Sequence, residues 1–184
     1  MPKIIIPEYF LGVDPGASGA VSVIETASFS HIESVDFDKS KRGIPCALDH
    51  IVKKYGKKGT CVLAVEEVHA IFGSSAKSTF NFGFNLGLIH SVLQLNIIPF
   101  YLVPPKKWQG TLGLPSFKGL SVSERKALTA EAIEKRIPLA DIRGTRGGVI
   151  DGRSDALGIA LHLYLQYHNT EGDTEVCPYK VYQL

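Results

Sequence analysis

The order of the hydrophobic patterns is the feature that most constrains the fold of this chain. Its first third holds three short segments of alternating β-branched and aromatic residues, at Tyr9–Val13, 20–24 and 29–37. Tight turns separate them, the first at Asp14-Pro15-Gly16. Helical and strand patterns alternate from residue 44 onward. Three antiparallel strands followed by such alternation favour an α/β fold, a mixed sheet with helices on both faces.

The later elements complete a five-stranded sheet. Strand patterns cover residues 61–65 and 97–103, and apolar residues at helical spacing predict four helices, over residues 44–55, 79–95, 121–136 and 151–168. Ser121 and Glu124 form a capping-box pattern at the start of the third helix. We expect one domain over the 184 residues, with a core at 9–168. The tail at 169–184 could be a strand, a dimer arm or disordered.

Composition excludes several classes of protein. With 45% hydrophobic and 21% charged residues, the chain is typical of a globular protein. No apolar run reaches the roughly 20 residues of a membrane span, and the apolar stretch at the N-terminus is too short for a signal peptide. The three cysteines share no metal-site or redox spacing, which indicates a reducing compartment. We therefore expect a cytoplasmic protein without a membrane partner.

The charge is unevenly distributed along the chain. The net charge is only +2, yet residues 104–150 carry nine Lys and Arg against four Asp and Glu. A basic surface beside an acidic pocket is one way to hold a polyanion near metal ions. A solvated helix face is the competing interpretation of the same charges.

Four acidic residues stand at the ends of predicted elements. Asp14 and Glu66 each close an apolar strand, and Asp151 and Asp155 open the last helix. Residues four apart share a helix face and lie about 6 Å apart. Glu66 and Glu67 would point to opposite faces of the sheet, so only one can join a shared site. Each acid also has an ordinary interpretation, as a turn residue, a solvated strand end, an N-cap or an exposed helical residue.

Such a cluster would have a definite chemistry. Carboxylates brought together at one edge of the sheet repel, and the arrangement is costly unless something neutralises them. Mg²⁺ prefers oxygen ligands of this kind. Two such ions roughly 3.5–4 Å apart can activate a water and stabilise the leaving oxygen in phosphodiester hydrolysis. Metal-dependent phosphodiester hydrolysis is therefore one chemistry that the four acids would suit if they converge.

Several segments resemble a known family. The runs LGVDPG (11–16), AVE (64–66) and DALGIA (155–160) resemble the RuvC family of Holliday junction resolvases. The runs DPGASGA (14–20), FNFG (80–83) and DGRSDA (151–156) are similar to RuvC-like resolvases from bacteriophages and related bacteria. The resemblance extends over residues 10–165, most of the chain.

The resemblance implies a ribonuclease H-like fold and a homodimeric crossover junction endodeoxyribonuclease that resolves four-way DNA junctions with Mg²⁺ or Mn²⁺. It places the catalytic metal ligands at Asp14, Glu66 and Asp155. The family commonly has its last two ligands three residues apart, but the residue three before Asp155 is Gly152. Asp151, four residues before Asp155, must then be the fourth ligand. The implied location is the cytoplasm of a bacterium or a phage-infected host.

The resemblance also suggests DNA contacts. Either Lys106 or Lys107 matches a basic residue that is important for cleavage in the family, and the sequence does not decide between them. Lys126 matches a second such residue, near the scissile phosphate. His69 stands where the family often has an aromatic residue for base contacts, and Phe72 is the candidate substitute. The loop 70–78 would then enter the junction, or Phe72 would anchor a surface loop.

Three further expectations concern the surface. Lys118, in the basic region, is a candidate DNA contact. Trp108, the only tryptophan, either anchors the Pro-Pro-Lys-Lys loop or stacks on a base. A dimer surface is expected on the helix at 80–95, because Phe82, Phe84 and Leu88 give it more apolar surface than packing on one face of the sheet requires.

Three alternatives remain at this point. A non-catalytic junction-binding protein would gain nothing from carboxylates facing phosphates. The sequence barely distinguishes a junction resolvase from another ribonuclease H-like nuclease that acts on other branched DNA or on RNA–DNA hybrids. An actin-like kinase or ATPase would need two lobes and a much longer chain than 184 residues.

Overall fold

A central mixed sheet organises the chain. The computed structural model describes residues 6–37, 43–56, 61–67 and 75–169, and the backbone of residues 181–182. Within them the strands are β1 (Tyr9–Val13), β2 (Ala20–Glu25), β3 (Ser30–Asp36), β4 (Cys61–Glu66), β5 (Phe100–Val103) and β6 (Val181–Tyr182). Their spatial order is β3-β2-β1-β4-β5-β6. The β1–β2, β2–β3 and β5–β6 pairs are antiparallel, while β1–β4 and β4–β5 are parallel.

The predicted α/β class with its five-stranded sheet is confirmed, and the two-residue β6 extends that sheet at one edge. The helices are α1 (Gly43–Tyr55), α2 (Ala76–Leu95), α3 (Pro105–Thr111), α4 (Val122–Glu134) and α5 (Asp151–Asn169). The capping box that the sequence predicted at Ser121 and Glu124 is present. Of the tail, β6 is described as a strand, and the rest lies outside the described residues. None of the helices in the described ranges is long and apolar enough to cross a bilayer.

Two predicted boundaries were wrong for local reasons. The strand expected over residues 97–103 begins only at Phe100, because Ile97 adopts a left-handed backbone with φ of 56° and closes the turn after α2. The Pro-Pro-Lys-Lys segment, expected as a loop, forms α3. Pro105 occupies its first turn, where the missing N–H costs no hydrogen bond.

The sheet separates two hydrophobic cores, because successive strand residues face opposite sides. One core packs β1, β2 and β4 against α1 and α2, through residues such as Leu11, Val65 and Leu93. The other packs the opposite face against α3, α4 and α5, through residues such as Ala64 and Ile159. Helices therefore cover both faces, as predicted.

Close backbone contact places α5 directly on the sheet. A Cβ at Gly12 of β1 would lie 2.0 Å from the carbonyl oxygen of Ala156 in α5. A Cβ at Gly152 would lie 2.1 Å from the carbonyl oxygen of Ser18. Larger residues at either glycine would push the helix away. The N-terminus of α5 is thereby held beside the turn that follows β1.

An ion-pair network fixes the same helix end from the other side. Arg153 of α5 donates to both carboxylate oxygens of Asp36 at 2.7 and 2.9 Å. It also donates to Oδ2 of Asp141 at 2.6 Å. Planar guanidinium groups suit such paired contacts. The first turn of α5, which carries two of the predicted site residues, is therefore oriented by β3 as well as by β1.

Candidate active site

Asp14 and Glu66 are neighbours at one edge of the sheet. Val13 of β1 is in register with Val65 of the parallel strand β4. The next residue of each strand is therefore the acid, and adjacent strands lie about 4.8 Å apart. Alternation places both acids on the face covered by α5, since Ala64, two residues before Glu66, belongs to that core.

The structure brings the acids of α5 to the same place. Burial raises the pKa of Asp155 well above its usual range, and the charges of Asp14, Asp151 and Glu66 raise it further. Carboxylates influence one another in this way only when they are close in a desolvated environment. All four predicted acids therefore belong to one cluster, although they come from β1, β4 and α5.

The turn after β1 holds Asp14. The backbone N–H of Gly16 donates to its Oδ1 at 2.9 Å. The pKa of Asp14 is raised to about 6, mainly by burial; the charge of Asp151 adds to this rise and the hydrogen bond from Gly16 opposes it. The sequence also allowed an ordinary solvated turn aspartate, but solvation of that kind would leave the pKa low. The desolvated carboxyl group favours a functional role.

Glu66 is perturbed in the same direction. Its pKa is raised to about 7, first by burial and then by the charge of Asp14, while a hydrogen bond from Trp108 opposes the shift. The indole Nε1 of Trp108 donates to Oε1 of Glu66 at 3.0 Å. The carboxylates of Asp14 and Glu66, on adjacent strands, therefore repel each other with little screening by water.

Lys126 reaches the cluster from α4. Its Nζ lies 3.0 Å from Oδ2 of Asp151. Its positive charge lowers the pKa of Asp155, against the larger effect of burial and the other acids. The N-terminus of α5 adds a partial positive charge at the same point. The structure therefore places Lys126 beside Asp151, and its role near a scissile phosphate stays a prediction.

The remaining predicted lysines lie on the adjacent surface. Lys106 and Lys107 are exposed on α3, and Lys118 is exposed in the connection between α3 and α4. Lys107 is directed toward the middle of α5: after burial, its charge is the cause that lowers the pKa of His162, to about 4. His162 lies seven residues beyond Asp155, about 10 Å along the helix.

Two predicted DNA contacts lie outside the described residues. His69 and Phe72 both fall in the segment 68–74, and the predicted junction-entering loop is described only from Ser75 onward. Their assignment stays a prediction.

Two contacts at the site were not predicted. Trp108 is 1% exposed, so the anchoring interpretation of this residue is right and base stacking is excluded. Its hydrogen bond to Glu66 had no signal in the sequence beyond its being the only tryptophan. Asn85 of α2 donates from Nδ2 to the carbonyl oxygen of Pro15 at 3.1 Å, which ties α2 to the turn that carries Asp14.

The donor chemistry of the cluster fits a divalent cation. Four carboxylates provide the oxygen ligands that Mg²⁺ and Mn²⁺ prefer. Across the described part of the chain, no three His, Cys, Asp or Glu side chains are already gathered as a set that could hold one ion. The structure shows an acidic cluster suited to a cation, not a formed metal site.

Comparison with known proteins places the fold. No protein-family model and no curated protein sequence matches the chain. The structure of T. thermophilus RuvC in complex with a Holliday junction substrate matches with a TM-score of 0.63 and 15% identity, over 88% of this chain and 96% of that one. The Thermus thermophilus RuvC structure matches with a TM-score of 0.61 and 16% identity, over the same shares. The chain is therefore similar in fold to RuvC, and the predicted ribonuclease H-like fold class is confirmed.

Proposed function

We propose that this protein is a metal-dependent, structure-selective DNA endonuclease that resolves four-way junctions by paired symmetric nicks. The observation that carries the proposal is the cluster of acids at one edge of the sheet, in which Asp14, Glu66 and Asp155 are desolvated and Asp151 lies at the partly exposed rim. A binding protein would place cations toward phosphates, not buried acids. The RuvC fold, in a structure that holds a Holliday junction, supplies the substrate class.

The residues of the cluster would have different roles in the reaction. Asp14, Glu66, Asp151 and Asp155 would hold Mg²⁺, for which Mn²⁺ would substitute. When bound, the ions supply an activated water and charge stabilisation for phosphodiester hydrolysis. The Gly16 amide orients Asp14. Lys126, now paired with Asp151, offsets negative charge on the phosphoryl oxygens of the substrate.

The basic surface beside the cluster would bind the DNA backbone. Lys106, Lys107 and Lys118 are exposed on α3 and on the connection to α4, the helix that carries Lys126. Lysines that neutralise phosphates supply most of the sequence-independent affinity for DNA. His69 and Phe72 remain our proposed contacts at the centre of the junction. We also propose that the enzyme is cytoplasmic.

We further propose a homodimer formed through α2. The stacked rings of Phe80 and Phe84 are 72% and 58% exposed, and the Cβ positions of Gly83 and Gly87 have no atom within 4 Å. Leu88, expected at this surface, instead packs partly on the core. A second copy would cover this apolar face, and two-fold symmetry would give two equivalent sites for the two nicks. Sedimentation should give the dimer mass; a monomer at micromolar concentration would contradict the dimer.

The substrate class can be tested by comparing initial rates in Mg²⁺ on four synthetic substrates of equal length. These are a four-way junction, a 5′-flap, an RNA–DNA hybrid and a linear duplex. We expect the junction to be cut fastest. A faster rate on the flap or the hybrid would assign the protein to another ribonuclease H-like activity. Tight junction binding without any nicking would instead support a non-catalytic junction-binding protein.

A further inference from the structure

The indole of Trp108 has an unusual hydrogen-bond partner. The side chain is 1% exposed, and its Nε1 donates to Oε1 of Glu66 at 3.0 Å. A buried indole N–H needs an acceptor, and a backbone carbonyl or a water often provides one. Here the acceptor is an oxygen of a carboxyl group in the acidic cluster. The contact joins α3 to β4 over a separation of 42 residues.

Packing against α5 helps to set the position of this ring. A Cβ at Gly158 of α5 would lie 3.0 Å from Cζ3 of Trp108 and 3.2 Å from Cδ1 of Leu112. The ring therefore rests on the backbone of α5, one turn beyond Asp155. A second contact holds α3 on the same helix: Oγ1 of Thr111 lies 2.7 Å from Nδ1 of His162.

We propose that Trp108 is a positioning residue of the acidic cluster, whose indole N–H fixes the carboxylate of Glu66 for binding of a divalent cation. This inference rests on the proposed function. An indole N–H can donate but cannot bind a metal. By occupying one oxygen of Glu66, it limits the rotation of the carboxylate and leaves the second oxygen as the ligand. Hydrogen bonds of this kind to metal ligands typically affect metal affinity or activity about 10-fold to 100-fold.

A purely structural role would be to fill the space between α3 and α5. Such a role depends on the size and shape of the ring, whereas positioning depends on the N–H. Because the chain has one tryptophan, ¹H–¹⁵N spectra of the full chain contain one indole signal. That signal reports on the hydrogen bond directly and independently of activity.

The first experiment follows this signal in the wild type and in Glu66→Ala. We expect the indole resonance to shift when Mg²⁺ is added to the wild type. In Glu66→Ala, which lacks the acceptor, we expect a shifted starting position and no response to Mg²⁺. An indole signal that is the same in both proteins and responds equally to Mg²⁺ would overturn the inference.

The second experiment measures Mn²⁺ affinity by calorimetry in Trp108→Phe, which keeps an aromatic ring and loses the N–H. We expect affinity to fall about 10-fold to 100-fold. Thr111→Val is the matched control, because it removes the hydrogen bond between α3 and His162 of α5 and leaves the indole contact; its Mn²⁺ affinity should stay within about twofold of wild type. Equal losses in both variants, or no loss in Trp108→Phe, would refute positioning. If Trp108→Phe does not fold, the spectra of the wild type and Glu66→Ala still decide.

The outcomes separate this inference from the proposed function. A wild-type protein that binds Mn²⁺ with a responsive indole but never nicks a junction would refute the nuclease and leave the positioning role standing. A Trp108→Phe protein that cuts junctions with the wild-type Mg²⁺ requirement would refute the positioning role and leave the nuclease standing.

Discussion

Two glutamates of the same sheet have opposite environments. Burial alone would raise the pKa of Glu33 in β3, but hydrogen bonds from Lys54, Tyr55 and His50 lower it to about 2. The pKa of Glu66 in β4 is raised to about 7 by burial and by the charge of Asp14, against one neutral donor. The chain neutralises the first carboxylate with its own residues and leaves the second uncompensated.

The contrast indicates which acids serve stability and which serve chemistry. A carboxylate that receives a lysine and two further donors helps to hold β3 against α1. A cluster of buried acids with one partly exposed lysine is costly to the fold. Such a cost is typical of functional sites, where a bound ion completes the charge balance.

The largest effect is expected from Asp14→Asn. Loss of one carboxylate from the cluster should reduce junction cleavage roughly 10³-fold or more, since metal ions supply several kcal/mol of charge stabilisation. Junction affinity, measured by fluorescence anisotropy, should stay close to that of the wild type because lysine–phosphate contacts dominate it. Undiminished cutting would remove Asp14 from the mechanism.

The second prediction concerns the face of β4. Glu66→Gln should lose activity almost as severely as Asp14→Asn, while Glu67→Gln should keep it. The reason is alternation: Glu66 follows Ala64 onto the α5 face, and the next residue points the other way. Single-turnover cleavage of the two variants at equal enzyme concentration provides the comparison. If Glu67→Gln were the inactive one, our account of the strand would be wrong.

A smaller loss is expected from Lys126→Gln. The side chain lies at the edge of the cluster and is partly exposed, so removing its charge should slow cleavage about 10-fold to 100-fold, somewhat less than a fully buried donor. Lys135→Gln, an exposed lysine at the other end of the same helix, is the control and should cut normally. Equal rates for both variants would show that Lys126 has no special role.

The smallest effect concerns stability and pH. Asp14 and Glu66 have raised pKa values in the folded protein, so the folded state holds more protons than the unfolded state between about pH 4 and 7. Without divalent cations, stability should therefore fall as pH rises through this range, by roughly 3 kcal/mol or less for each group. Asp14→Asn should weaken the dependence, and Mg²⁺ should oppose it. Thermal denaturation at pH 5 and pH 8 would show this; a rise in stability with pH would contradict it.

Glu33→Gln tests the other member of the comparison, the carboxylate that the chain neutralises with its own residues. The lowered pKa of Glu33 means that its contribution is present above its unfolded value and is lost only as pH falls toward about 2. The variant should lose only about 1 kcal/mol, to a similar extent at pH 5 and pH 8, because the charged partner Lys54 is partly exposed to solvent.

Local sequence signals predicted much of the fold. The bounds of β1 and the capping box of α4 follow from short-range patterns and agree with the structure. The placement of Asp14 and Glu66 side by side followed from two apolar strands that each end in an acid. The position of Lys126 rested on family resemblance, since nothing in its own helix indicates that it reaches Asp151.

Long-range contacts account for what the sequence did not predict. The Trp108–Glu66 hydrogen bond requires α3 to lie on Gly158, which no local pattern specifies. The helical state of residues 105–111 was missed because two prolines suggest a break, although the second begins a helix. The exposure of Phe80 and Phe84 depends on which face of α2 the core takes, and the apolar and polar residues of α2 are not separated clearly enough to encode that choice.

The most direct test of the account is the mapping of nicks on a synthetic four-way junction, at nucleotide resolution on all four arms, with Mg²⁺ and with a chelator. We predict two symmetrically placed nicks in opposite strands that ligase can seal, and none when the chelator is present. Nicks that persist in the chelator, or an intact junction at every concentration of Mg²⁺ and Mn²⁺, would contradict the account.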